Sequence, residues 1–151
     1  MTQEELKLSV SALFPAVTFD ETGEFLTAMV APADFRKAMK TLRNNPDLSF
    51  DYLFCLTCID WKTHLMMVYH MLSKVHKHTL VVKVKLDNVT APVTDTVSDI
   101  WKTAIFHERE VYDLFGVKFN HHADLRRLLL DENWEGYPLR KNYVDENMIE
   151  I

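Results

Sequence analysis

The spacing of apolar positions along this chain changes from helical to alternating and back, and each change predicts an element. Thr2 with Glu5 forms a capping box, and Leu6, Val10, Leu13 and Phe14 then recur at helical intervals, predicting an opening helix that Pro15 ends. Val17 to Asp20 and Glu24 to Val30 read as the strands of a hairpin, joined through Glu21-Thr22-Gly23, where glycine offers positive φ. After Pro32 the helical spacing returns at Phe35, Ala38, Met39 and Leu42 and stops at Asn44-Asn45-Pro46, so a second helix is expected to cross back over the hairpin. Three β-type segments follow, Tyr52 to Trp61, His64 to Ser73 and Thr79 to Asp87, with short polar links that predict an antiparallel meander. Thr94-Asp95-Thr96 reads as a capping cluster for a helical region from Val97 to Phe115, interrupted midway and stopped by Gly116. The predicted class is α+β: an antiparallel or mixed sheet with helices packed on it, followed by a charged, largely irregular C-terminal segment. That segment, 117–151, is expected to wrap a surface, its own or a partner's.

Length and composition narrow the picture. At 151 residues, 48% hydrophobic and 26% charged, the chain reads as one globular domain able to hold a core without staples. Three glycines leave no room for a glycine-rich phosphate cradle. A formal net charge of −5 argues against a nucleic-acid binder and favours protein partners. The acidic Met1-Thr2-Gln3-Glu4-Glu5 start does not resemble a signal peptide, and no apolar run approaches the roughly eighteen residues of a membrane span. A cytoplasmic chain that meets a membrane only through a partner is the expectation.

Charge is concentrated late in the chain. Placing Ala104 to Phe115 on a helix puts Ala104, His107, Val111, Leu114 and Phe115 on one stripe, with Arg109, Glu110 and Asp113 towards the other side. Glu108 falls inside the apolar arc, where an ionised carboxylate needs a cation and hydrogen bonds to offset its desolvation. Arg126, Arg127 and Arg140 are the nearest candidates, so Glu108 is expected to anchor the C-terminal segment through an arginine. The functional alternative is a general acid or base with a raised pKa. Arg109 and Asp113, four residues apart, read as a solvated helix pair or, with Glu110, as half of an interface.

Other chemistry finds little support. His107, His121 and His122 lack the spacing that puts two imidazoles on one helical face. Cys55 and Cys58 lie three apart on a predicted strand, which sends their sulfurs to opposite faces, so reduced core thiols are expected rather than a metal or redox pair. No serine sits in a glycine elbow. Trp101, Trp134, Tyr137 and Tyr143 accompany the late arginines, a mixture enriched at protein contacts.

Glu108-Arg109-Glu110, Asp113-Leu114-Phe115, His122, Arg126, Leu128 and Leu129, followed by Trp134-Glu135-Gly136-Tyr137-Pro138-Leu139-Arg140-Lys141, resemble the signature of the C subunit of NADH:quinone oxidoreductase, respiratory complex I. The resemblance extends upstream through Asp60 and Val68-Tyr69-His70-Met71-Leu72-Ser73, and so covers most of the chain. Ala123 and Asn142 depart from it, standing where the family usually has proline and aspartate. The resemblance implies a non-catalytic subunit of the peripheral arm on the cytoplasmic side of the inner membrane. It would pack against the D subunit near the quinone site and beside the B- and I-type iron–sulfur subunits. It also implies that this chain binds no cofactor, the FMN, iron–sulfur clusters and quinone belonging to the complex. Glu108, Arg109, Glu110, Asp113, His122, Arg126, Arg127, Arg140 and Lys141 would then form a docking or structural charge network. The runner-up is the equivalent subunit of a membrane-bound nickel–iron hydrogenase or formate hydrogenlyase. A free-standing metal hydrolase built on His107, Glu108, His121 and His122 is the reading from a different class.

Overall fold

A computed structural model describes residues 1–149; residues 150 and 151, the end of the segment expected to wrap, lie outside the described residues. The first helix, α1 (Gln3–Leu13), carries the expected capping box, with Thr2 accepting from the Glu5 amide and Glu5 accepting from the Thr2 amide. Strands β1 (Thr18–Asp20) and β2 (Thr27–Met29) pair antiparallel, as the hairpin pattern predicts. Gly23 is not the positive-φ residue of their loop. Asp20 shapes it instead, accepting from both the amide and the hydroxyl of Thr22.

Helix α2 (Phe35–Asn44) buries Phe35, Ala38, Met39 and Leu42, the four positions picked out by spacing. It lies over the middle of the sheet rather than over the hairpin alone, with the Phe35 ring centred 5.0 Å from that of Tyr69. Strands β3 (Tyr52–Asp60), β4 (Leu65–Leu72) and β5 (Thr79–Leu86) form the antiparallel meander. The hairpin joins it through a parallel pairing of β2 with β5, giving one mixed sheet of order β1-β2-β5-β4-β3. Alternation sends Leu56, Met67, Tyr69 and Val82 inward beneath the helices, while Met66, Val68 and Val81 make a small cluster with Phe25 on the opposite face.

The region after the sheet differs from expectation. Thr94-Asp95-Thr96 does not cap a long helix, because Val93–Asp95 forms β6, paired parallel with β7 (Lys118–Asn120). Turns fill residues 98–103, and α3 runs from Ala104 to Phe115. Trp101 ties those turns to the sheet by donating its indole N–H to the Phe50 carbonyl, and Thr103 donates to the Leu53 carbonyl. Helix α3 therefore packs along β3, the edge strand, with Ala104, Val111 and Phe115 in the core. Beyond β7 the described chain has no further helix or strand, and it folds back over α3 and the β5–β6 link.

Gly116 ends α3 at φ 75°, in the left-handed region expected of a helix stop. A Cβ there would lie 2.6 Å from the Tyr137 ring, so the same position must also be small for the tail to lie down. Gly116→Ala is expected to lower stability by about 2 kcal/mol through backbone strain and displacement of that ring. Gly23→Ala, with nothing within 4 Å of its added methyl, serves as the near-neutral control. Urea unfolding of the two variants measures the difference.

Candidate functional site

Helix α3 supplies the side chains that fix the C-terminal segment, and Asp113 is the centre. Its side chain is fully buried. One carboxylate oxygen accepts from three consecutive amides, those of Leu128, Leu129 and Leu130, at 3.2, 2.7 and 3.0 Å. The other accepts from the Arg127 guanidinium at 3.0 Å. Arg127 also donates to the carbonyls of Asp113, Trp134 and Gly136 and lies over the Tyr137 ring at 5.1 Å. Burial alone would raise the Asp113 carboxyl, but the three amides and Arg127 reverse that and hold it below the usual carboxylate range.

Two further arginines work through backbone carbonyls. Arg109 donates to the carbonyls of Arg126 and Arg127, and its guanidinium rests 5.8 Å from the Phe106 ring centre. Arg140 donates to the carbonyls of Phe115 and Val89, spanning the end of α3 and the β5–β6 link. Asp60, at the end of β3, accepts from the amides of Lys62 and Lys141 and so holds the last part of the tail. Its burial is likewise outweighed by these amides, with Arg140 and Lys141 nearby, and its carboxyl sits below the ordinary value.

This geometry corrects two expectations. Arg109 and Asp113 are buried, not on a solvated side, because the returning tail covers the face of α3 that spacing leaves outward. Glu108 meets no arginine among the described residues within salt-bridge distance. Its carboxylate accepts from the Thr96 hydroxyl and the Val97 amide, with His122 Nε2 at 3.8 Å, and so pins the β6 end to α3. The arginine that seeks a buried carboxylate finds Asp113 instead, five residues on. Burial pushes Glu108 up to about 7, against the Thr96 and Val97 bonds that favour its charged form.

The other candidates are dispersed. His122 donates from Nε2 to the Ile105 carbonyl and accepts the Asp124 amide at Nδ1, while His121 is exposed at φ 67°. Glu110 is half-buried. Arg126 pairs with Asp124 on the surface, and Lys141 lies 5.7 Å over the Trp61 ring. Among the described residues no group of three metal-ligating side chains gathers. Cys55 stands opposite His70 and Cys58 opposite Met67, so the two thiols occupy opposite sheet faces, as read from their spacing. Cys58 is buried, which pushes its thiol up to about 12, whereas Cys55 is only half-buried. The anchoring role of Asp60 escaped sequence reasoning; its position before Trp61-Lys62 at a strand end, an Asx-turn setting, was the available signal.

Fold and site together define a sheet-and-helix protein whose signature residues bind its own tail into place. Residues 28–147 match the family described as respiratory-chain NADH dehydrogenase, 30 Kd subunit, and the chain belongs to that family. It is 46% identical over 99 residues to the C/D subunit of NADH-quinone oxidoreductase from Phocaeicola vulgatus, covering 65% of this chain and 19% of that protein. Against the C subunit of the enzyme of the same name from Chloroherpeton thalassium it is 43% identical over 104 residues, covering 68% of this chain and 43% of that one. Against the C subunit from Burkholderia mallei it is 33% identical over 159 aligned positions, covering 98% and 80%. The chain thus spans under half the length of the first two relatives. Its fold is also found in the membrane-bound sulfane sulfur reductase, an archaeal respiratory membrane complex, at TM-score 0.80 and 24% identity, covering 93% of this chain and 85% of that one.

Asp113→Ala should strip four bonds from the tail and leave Arg127 without its counter-charge, lowering stability by about 3–5 kcal/mol. Hydrogen exchange at the amides of Leu128, Leu129 and Leu130 should accelerate before the sheet amides respond. Glu108 predicts a pH effect of defined sign. Folding raises its pKa from 4.5 to about 7, so its contribution to stability is full below pH 4.5 and is lost as pH rises through 7. Asp113 and Asp60 are lowered, so theirs is present above pH 3.8 and is lost as pH falls through their folded values. Thermal melts from pH 4.5 to 7 should show a decline of up to about 1.4 kcal/mol per pH unit that Glu108→Gln flattens.

Proposed function

We propose that this chain is a non-catalytic structural subunit of the peripheral arm of a proton-translocating NADH:quinone oxidoreductase. It docks to the D subunit near the quinone site on the cytoplasmic side of the inner membrane, beside the B- and I-type iron–sulfur subunits. The observation that carries this is the family match over residues 28–147, which runs through both the sheet and the tail clamp. The relative from Phocaeicola vulgatus, whose name joins C with D, supports D as the neighbour.

The physical arrangement suits such a role. Arg109, Asp113 and Arg127 bind the chain's own backbone, which shapes a firm outer surface rather than a reactive centre. That surface leaves Phe106, Leu129 and Leu139 more than half exposed, apolar area of the kind that marks a contact. No helix of the described residues is long and apolar enough to cross a membrane, which suits attachment through partners. FMN, iron–sulfur clusters and quinone would belong to the neighbouring subunits. The likeness to the sulfane sulfur reductase supports the fold alone, and the choice of NADH:quinone chemistry rests on the family match.

Affinity purification of the tagged chain from native membranes tests the reading. A D-type subunit, iron–sulfur subunits and NADH:quinone activity should be recovered together. Recovery of the chain alone under mild conditions would defeat it.

A further inference from the structure

Arg109 and Arg140 both donate only to carbonyls among the described residues, and Arg140 is the one that lines a groove. Arg140 satisfies N–H groups on the carbonyls of Phe115 and Val89, yet among the described residues no carboxylate lies within salt-bridge distance of it. Carbonyl dipoles satisfy donors without neutralising a net charge, and a guanidinium pairs best with a carboxylate. Arg127, by contrast, has Asp113. Arg140 lines an open groove of about 510 Å³ between the β5–β6 link and the tail, with Tyr137, Tyr143 and Val144 among its walls. A second groove shares Val89 and Asn142 with it and adds Lys62 and Lys141.

The charge around these two adjoining grooves leans positive. Asp60 lies at the floor, where its oxygens hold the backbone amides of Lys62 and Lys141 and its charge partly offsets those of Arg140 and Lys141 nearby. Glu135 sits on the wall and makes no ion pair with Arg140. Three cations, Arg140, Lys62 and Lys141, thus stand against two carboxylates, Asp60 and Glu135, a local positive excess in a chain whose net charge is −5. Beside them Trp61 is 53% exposed under the Lys141 ammonium. Arginine, tyrosine and tryptophan around a concave surface are the composition of an interface centre.

We infer that this groove receives an extended, acidic segment of the neighbouring protein, whose Asp or Glu carboxylate pairs with Arg140 between the Tyr137 and Tyr143 rings. The inference rests on the assembly reading above and names the chemistry of one contact in it. Lys62 and Lys141 draw the segment in and meet further carboxylates along it, while the aromatic walls take its apolar side chains. The carboxylate that no described residue brings within salt-bridge distance of Arg140 is supplied in trans.

The intact complex, purified from native membranes through a tag on this chain, is treated with a zero-length carbodiimide and its cross-linked peptides are sequenced. Lys62 or Lys141 should couple to an Asp or Glu of another subunit. In parallel, Val144, 86% exposed on the groove wall, is changed without touching the tail clamp. Val144→Glu places a competing carboxylate in the groove and should weaken retention of the partner about tenfold at moderate salt, whereas Val144→Lys should retain it. An assembly whose Lys62 and Lys141 couple only within this chain, or that responds alike to both substitutions, overturns the inference and leaves the assembly reading standing. A tagged chain recovered with no other subunit defeats the assembly reading, and this contact with it.

Discussion

A buried carboxylate, Asp113, is the main anchor of the C-terminal segment of this protein. Asp113 has no exposed surface, and leaving it ionised there would be costly without compensation. The chain offsets that by wrapping residues 128–130 around one oxygen and setting Arg127 against the other. The remaining order follows from it. Arg127, once fixed, gathers the carbonyls of Trp134 and Gly136 and supports the Tyr137 ring, which lies against Gly116. Arg140 and Lys141 then reach Phe115, Val89 and Asp60.

Glu108 and Asp113 sit five residues apart on one helix, both closed off from solvent, with opposite electrostatic outcomes. Asp113 has four donors, three of them amides and one a cation, and stays charged. Glu108 has a hydroxyl and one amide, and burial prevails. Weaker desolvation and more donors, one of them a cation, keep Asp113 below the usual carboxylate range, while deeper burial with two donors raises Glu108. Glu108 links the β6–β7 pair to α3, and Asp113 links the tail, so the helix serves as a post between two attachments.

The same arrangement bears on assembly. Charges that look like adhesive for a neighbour are largely satisfied within the chain, where stranding one partner of a buried pair is costly. Among what faces outward are apolar side chains and grooves lined by Arg140, Lys62 and Lys141. On the proposed reading, partner recognition would require the tail to be folded first, linking folding of this chain to docking.

The helices α1 and α2, the meander and the stop at Gly116 were legible in the sequence, because each depends on local period, capping or backbone freedom. The family signature was legible too. The parallel joins of β2 to β5 and β6 to β7 were not, since pairing between distant strands leaves no mark in the spacing of either. Nor did periodicity show that Arg109 and Asp113 are buried. A helix face reads as solvent-exposed until another segment covers it, and here the cover comes from irregular chain without a pattern of its own. Sequence alone determined that a buried acid needed a partner; tertiary structure decided which acid, because only the path of the tail brings Arg127 and three successive amides to Asp113 rather than to Glu108.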